Sequence, residues 1–319
     1  MNTRDIRYAG LGYIGIGASD PKAWLKFGTQ ICGFMPSNII PGSPSPIRQA
    51  TPEAHGTGDD GTLYLKMDDR QWRIAVHQSS KPGVRYLGLE IHSHSDFDDA
   101  IEAIAQSGGE LRTGTPEELS ARNVGRLAVI EDPAGHRIEL FSGPVRDLDF
   151  VSPSGMQFLS GELGMGHVVL YVPDIEAALA FYRDTLGFTR TDYTTFGPNG
   201  MGIHFLRCTR RHHSIALLHV GELSGLQHLM VEAASLDNVG ESLDRATNAK
   251  ITITSGLGRH RNDRTVSFYM QGPSGFDVEI GYDSLLIDDG WTENEFAGGG
   301  DLWGHHGLDA DSLKPRGEE

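Results

Sequence analysis

Cysteine is scarce: in 319 residues only Cys32 and Cys208 occur. They lie far apart and without metal-ligand spacing, so neither a disulfide framework nor a zinc ribbon is indicated, and any metal must be held by His and carboxylate. Long apolar runs are missing as well. No stretch reaches the roughly 18 apolar residues of a membrane span, and the opening MNTRDIRYAG lacks the basic, apolar and small-residue regions of a secretory leader. The expectation is a cytoplasmic protein without a membrane partner. Basic residues are in the minority, 27 Lys+Arg against 43 Asp+Glu, and the resulting formal charge of −16 argues against nucleic acid or an anionic surface as partner. A small uncharged or weakly acidic ligand fits this balance better.

What the chain has instead is repetition. LGYIGIGASDPKAWLKFGTQICGF at 11–34 superposes on MGHVVLYVPDIEAALAFYRDTLGF at 165–188, with Asp20 on Asp174 and Gly33-Phe34 on Gly187-Phe188. Each copy reads as a short strand, an Asp suited to N-capping, an amphipathic helix and a Gly stop. A second pair follows: RYLGLEIHS (85–93) on QHLMVEAAS (227–235), and EDPAGHRIELF (131–141) on QGPSGFDVEIG (271–281). The intervening runs at 62–77 and 202–219 alternate apolar and polar residues, the pattern of half-buried strands. The expected fold class is α+β, two domains each of two βαβββ modules: an N-terminal domain over 1–148, a C-terminal domain over 149–290, and a tail over 291–319.

Function emerges where the halves differ. Tyr13 stands at the place of His167, Tyr86 at that of His228, and Glu139 at that of Glu279. Two imidazoles and a carboxylate make the facial triad suited to non-haem Fe(II) with open coordination positions; the Tyr, Tyr, Glu half cannot make it. Strand parity puts each candidate ligand on one face, while Val168, Leu170, Val172, Leu229, Val231, Ala233, Phe276, Val278 and Ile280 form an apolar opposite face. The triad is therefore expected to look into a cup lined by the sheet.

With these residues in view, GRHRNDRTVSFYMQGPSGFDVEIGY (258–282), RRHHSIALL (210–218) and LQHLMVE (226–232) resemble the active-site strands of the type I extradiol catechol dioxygenases of the vicinal oxygen chelate superfamily. The resemblance spans nearly the whole chain, including an N-terminal half without the metal. It implies the glyoxalase-like fold of that superfamily, with His167, His228 and Glu279 holding Fe(II), Mn(II) being less favoured. It further implies His213 as the acid–base group, Tyr269 as the residue that bonds a substrate oxygen, His260 with Asp263 as the supporting groups, and Asn262 as a further substrate contact. Val169 and Phe205, apolar and near the ligands, are candidates for shaping the pocket. The implied reaction is insertion of O2 into a catechol, substituted or bicyclic, of dihydroxybiphenyl or dihydroxynaphthalene type, by a homo-oligomer.

The sequence departs from the family at Gly272, where many relatives carry Thr, and in the polar stretch 36–61, expected to form an exposed loop. Parity groups His213 with Ile215 and Leu217 and turns His212 away. Tyr13 and Tyr86 read as core. His305 and His306 sit in a Gly-rich, charged tail read as loose and non-ligating. Two other readings share the modules: a glyoxalase-type isomerase or lyase, whose chemistry needs no Tyr269–His213 pair beside the metal, and a metal-free binding module, which has no use for all three ligands.

Overall fold

The repeated segments fold alike. In a computed structural model that describes residues 2–42, 56–196, 201–296 and 300–307, Asp20 accepts a hydrogen bond from the Lys22 amide and Asp174 one from the Ala177 amide. Each cap starts a short helix, Pro21–Lys26 or Ile175–Ala180, that widens into one π-helical turn. The chain then reverses at Gly33 and Gly187, whose φ angles are 84° and 73°. A Cβ at Gly187 would lie 1.9 Å from the Thr3 carbonyl oxygen, so no other residue fits.

The first sheet contains Tyr8–Ala18 (β1), Met35–Pro36 (β2), Leu63–Lys66 (β3), Ile74–Gln78 (β4), Gly83–Ile91 (β5), Arg112–Thr113 (β6), Val124–Glu131 (β7) and Arg137–Pro144 (β8). The second contains His167–Tyr171 (β9), Thr189–Thr195 (β10), Gly202–Arg207 (β11), Ile215–His219 (β12), Gly225–Glu232 (β13), Ile253–His260 (β14), Val266–Gln271 (β15), Asp277–Tyr282 (β16), Asn294–Glu295 (β17) and Asp301–Trp303 (β18). Among the described residues the strand orders are β2-β3-β4-β1-β5-β8-β7-β6 and β17-β10-β11-β12-β9-β13-β16-β15-β14-β18. Without its two edge strands, the second order is the first with every strand moved on by eight, so the duplication read in the sequence is a duplication of topology. The outcome is the expected α+β architecture.

The faces assigned by parity are correct for the central strands. Val168, Leu170, Leu229, Val231, Val278 and Ile280 are fully buried in the main core. That core is common to both halves. Trp24, on the first half's helix, donates to Ser274 Oγ at 2.8 Å and packs 5.7 Å from the Phe276 ring, while Tyr182 donates to Asp132 Oδ2 at 2.9 Å. Trp24 and Tyr182 thus reach from one half to the other and tie the two together across the shared core.

Two expectations change. The segment 291–319 is expected to be a tail, loose from Gly298 on, yet its described part supplies β17 beside β10 and β18 beside β14, closing both edges of the second sheet. Of the stretch 36–61, residues 43–55 lie outside the described residues; its described flanks are tied down, with Ile40 buried against Tyr64 and Trp72, and Ser37 donating to Gln71 O at 2.8 Å. Both cysteines are free thiols. Among the described residues no helix is long and apolar enough to cross a membrane.

Candidate metal centre

Adjacent strands carry the functional side chains. In the sheet order β12-β9-β13-β16-β15-β14, His167 begins β9, His228 lies on β13 beside Val169, Glu279 on β16 beside Met230 and Tyr269, and His260 ends β14. Close approach of β9 to β13 depends on Gly166, with φ of 138°; a Cβ there would meet the Met230 carbonyl oxygen at 2.0 Å. His213 arrives differently from the parity reading. Ile215 and Leu217 belong to the main core, and His213 precedes β12 in a bend that swings its ring into the cup. Arg211 anchors that bend: it is buried, pairs with Glu232, and donates to the carbonyls of Leu163 and Leu159, both at 3.2 Å. His212 does turn away from the cavity, as expected, but into the interior. It is buried, with Nε2 at 3.1 Å from Asp192 Oδ2 and Nδ1 at 3.1 Å from His213 Nδ1.

Three donor atoms converge. His167 Nε2 lies 3.2 Å from His228 Nε2, and Glu279 Oε2 lies 3.4 Å from the first and 3.3 Å from the second. All three side chains are buried, and neither Glu279 oxygen receives a well-directed hydrogen bond. For bonds of about 2.1 Å, three facial positions of an octahedron stand about 3 Å apart, so the triangle fits a divalent ion. The protein's own charges prepare it. Burial lowers the His167 imidazole, the neighbouring His228 lowers it further, and Glu279 opposes both. Burial acts to raise the Glu279 carboxyl, but His167, His228 and His260 around it hold it well below the usual carboxylate range. A carboxylate with a neutral imidazole is the form that binds metal. Gln227 Oε1 accepts from His228 Nδ1 and so leaves Nε2 bare for the ion.

The groups around the triangle are wired outward. The His213 ring centroid is 3.9 Å from that of His167, and its Nδ1 is 3.9 Å from Asp263 Oδ2. Burial, with the charges of His167 and His212, pushes the His213 imidazole well down. His260 Nε2 lies 2.8 Å from Tyr269 Oη, and its Nδ1 lies 2.8 Å from Asp301 Oδ1. Burial would lower His260, but the neighbouring carboxylates of Asp301 and Glu279 raise it to about 10. His305 also donates from Nδ1 to Asp301 Oδ1, at 2.7 Å, and is 2 % exposed. The reading of His305 as part of a loose tail is therefore corrected: it pins Asp301 behind His260, because β18 folds back on β14.

His167, Val169, Phe205, His213, His228, His260, Asn262, Asp263, Tyr269 and Glu279, the ten residues singled out in the sequence, all line one cavity of about 310 Å³. Its lining combines the polar triangle with an apolar cluster that includes Phe196, Ile203, Phe205 and Phe296. Sequence reading missed Gln227, Asp301, Phe196, Ile203 and Phe296. Gln227 stands next to a ligand and Ile203 lies on an alternating strand, both legible in principle. Asp301 and Phe296 come from beyond the repeat and left no periodic signal.

In the N-terminal half, Tyr13 and Tyr86 are buried among Trp72, Phe141 and Tyr64, as core aromatics. Among the described residues, the His/Cys/Asp/Glu groups able to hold a metal are the triangle above and His260, Asp301 and His305, all in the second half.

Comparison with known proteins agrees with this geometry. Residues 10–140 and 164–280 match the Glyoxalase/Bleomycin resistance protein/Dioxygenase superfamily. The chain is 35% identical over 306 residues to an iron-dependent extradiol dioxygenase of Rhodococcus jostii (strain RHA1), covering 92% of this chain and 96% of that one. It is 36% identical over 304 residues to a biphenyl-2,3-diol 1,2-dioxygenase of Paraburkholderia xenovorans (strain LB400), covering 93% and 95%. A crystal structure of a halotolerant catechol dioxygenase superposes with a TM-score of 0.85 at 31% identity, covering 98% of both chains. The chain belongs to the Glyoxalase/Bleomycin resistance protein/Dioxygenase superfamily, within its extradiol dioxygenases.

Proposed function

We propose that the protein is an Fe(II)-dependent extradiol dioxygenase that opens the ring of a substituted or bicyclic catechol beside its diol. The observation that carries this reading is the buried triangle of His167, His228 and Glu279, with donor atoms 3.2 to 3.4 Å apart, opening on a cavity whose lining also includes Phe196, Ile203, Phe205 and Phe296. Iron, when held there, supplies Lewis acidity and one centre for both diol and dioxygen. Iron is favoured over manganese because the Rhodococcus jostii relative is named iron-dependent, while the donor set accepts either.

The chain's own residues bind, orient and move protons. His213, beside His167, takes the proton of one diol hydroxyl and later returns one as the ring opens. Tyr269, held 2.8 Å from His260 Nε2, bonds the oxygen of the neighbouring carbon. Asn262 and Asp263 complete the polar wall, and Val169, Phe205 and Phe296 bracket the rest of the ring system while excluding water. A cavity of about 310 Å³ lies at the small end of the roughly 300–1,000 Å³ usual for ligand sites, which suits one or two rings. The product is an open chain ending in a carboxylate and an aldehyde or ketone.

The test is anaerobic reconstitution with Fe(II), then oxygen uptake across a panel of one-ring and two-ring catechols, with the visible absorbance of the ring-opened product as second readout. Uptake with the appearance of that chromophore is expected; an iron-loaded protein inert to every diol ends the reading.

A further inference from the structure

Asp192, His212 and His213 form a buried line leading away from the cavity. Asp192 is 3 % exposed, His212 1 % and His213 3 %. The line is held from several sides: Thr191 Oγ1 donates to the His212 carbonyl at 2.7 Å, the His212 amide donates to Leu285 O at 3.2 Å, and the Trp291 ring stands edge-on to the His212 ring at 5.9 Å. Asp192 Oδ1, buried, has no hydrogen-bond partner. A carboxylate so poorly satisfied is a poor device for stability, since apolar side chains in place of buried charges are commonly neutral or stabilising.

We propose that Asp192 and His212 are positioning residues that fix His213 as the Nδ1–H tautomer, with Nε2 bare to receive a proton. The logic is one of donors and acceptors. A carboxylate only accepts, so His212 donates from Nε2 to Asp192 Oδ2 across 3.1 Å. A neutral His212 then has its lone pair at Nδ1, so the hydrogen in the 3.1 Å contact between the two Nδ1 atoms belongs to His213. The opposite assignment would aim the His212 Nε2 lone pair at a carboxylate. Asp263 Oδ2, 3.9 Å from the same His213 Nδ1, favours a hydrogen there too. His213 lines the cavity, and its Nε2 is the nitrogen that His212 does not engage. When a diol O–H breaks and its proton forms the Nε2–H bond, His213 keeps its Nδ1–H donated to His212, whose Nε2–H is held by Asp192. The proposal rests on the reading of His213 as the group that takes the diol proton.

The test has a spectroscopic arm and a kinetic arm. In the full chain loaded with zinc in place of iron, histidine ¹⁵N–¹H spectra should show His213 protonated at Nδ1. In Asp192→Asn, whose amide can donate to His212 Nε2, the line reverses and His213 should carry its proton at Nε2. With iron bound, Asp192→Asn should lose kcat by about 10- to 100-fold, the usual range for partners one step behind a site, with KM little changed. His212→Asn, able to present an amide oxygen near the Nδ1 position, should retain more kcat than His212→Phe. A wild-type His213 protonated at Nε2, or an Asp192→Asn protein with unchanged tautomer and unchanged kcat, overturns the proposal. The wild-type spectrum decides even where a variant does not fold. Should iron-loaded wild-type protein turn over no catechol, the dioxygenase reading falls, while the zinc spectra still decide the tautomer.

Discussion

Arg122 and Glu139 are tied by two hydrogen bonds, Nε to Oε2 at 2.8 Å and Nη2 to Oε1 at 3.0 Å. Glu139 is the N-terminal counterpart of Glu279, and the guanidinium supplies the positive charge that a bound ion would supply in the other half. Tyr13 donates to Glu139 Oε2 at 2.6 Å, and the Arg122 guanidinium carbon sits 3.7 Å over the Tyr86 ring. The tyrosines at the positions that correspond to His167 and His228 thus frame a cation that belongs to the chain.

Arg122→Met should therefore leave a fully buried carboxylate short of its main partner. Removing one member of a buried pair destabilises by about 3–5 kcal/mol. Arg137, 2.8 Å from Glu139 Oε1 and partly exposed, will hold the loss near the lower value. Urea unfolding followed by circular dichroism measures it, and a loss under about 1 kcal/mol contradicts the pairing.

Glu279 has the reverse expectation: it awaits its cation. Fe(II) at about 100 times its dissociation constant should raise the unfolding free energy of the wild-type protein by about 2.7 kcal/mol. Glu279→Gln keeps the shape, loses the anionic donor, and should show no such increase. Anaerobic thermal unfolding with and without Fe(II), and after chelator treatment, reads both.

Asp68 gives the fold a sensitivity to acid. Burial acts to raise its carboxyl, but Arg73, paired at 2.6 Å, together with Ser160 and the Arg70 amide, brings it from 3.8 to about 2. Because the folded value lies below the unfolded one, the stabilisation is complete above about pH 4 and disappears as pH falls through about 2. Its size is about 2 kcal/mol, at 1.36 kcal/mol per unit. In Asp68→Asn, unfolding free energies between pH 5 and pH 2 should fall less steeply by that amount; parallel curves would remove Asp68 from the account.

Phe296 lines the cavity, its ring 6.0 Å from that of Phe205. Phe296→Ala should shift the ratio of kcat/KM for a two-ring diol over unsubstituted catechol by about tenfold toward the larger substrate, since small changes of fit in an apolar pocket are worth about 1–3 kcal/mol. An unchanged ratio in the oxygen-uptake assay places the limiting wall elsewhere.

The duplication, the strand faces and the convergence of His167, His228 and Glu279 could be read from the chain because repetition and alternation are periodic signals. Period-two alternation fixes which side of β9, β13 and β16 a residue takes, and the exchange of Tyr13, Tyr86 for His167, His228 against a constant Glu is visible in the repeat itself. Tertiary structure decided what no period encodes. His213 reaches the cup from a bend held by buried Arg211, where alternation does not apply. Asp192 meets His212 across twenty residues of chain. Asp301, His305 and Phe296 reach the site only because a segment beyond the repeat adds its own strands to the sheet edges. Sequence determines a side chain's direction wherever the backbone is regular; where partners come from bends and from distant segments, only the folded chain brings them within hydrogen-bonding reach.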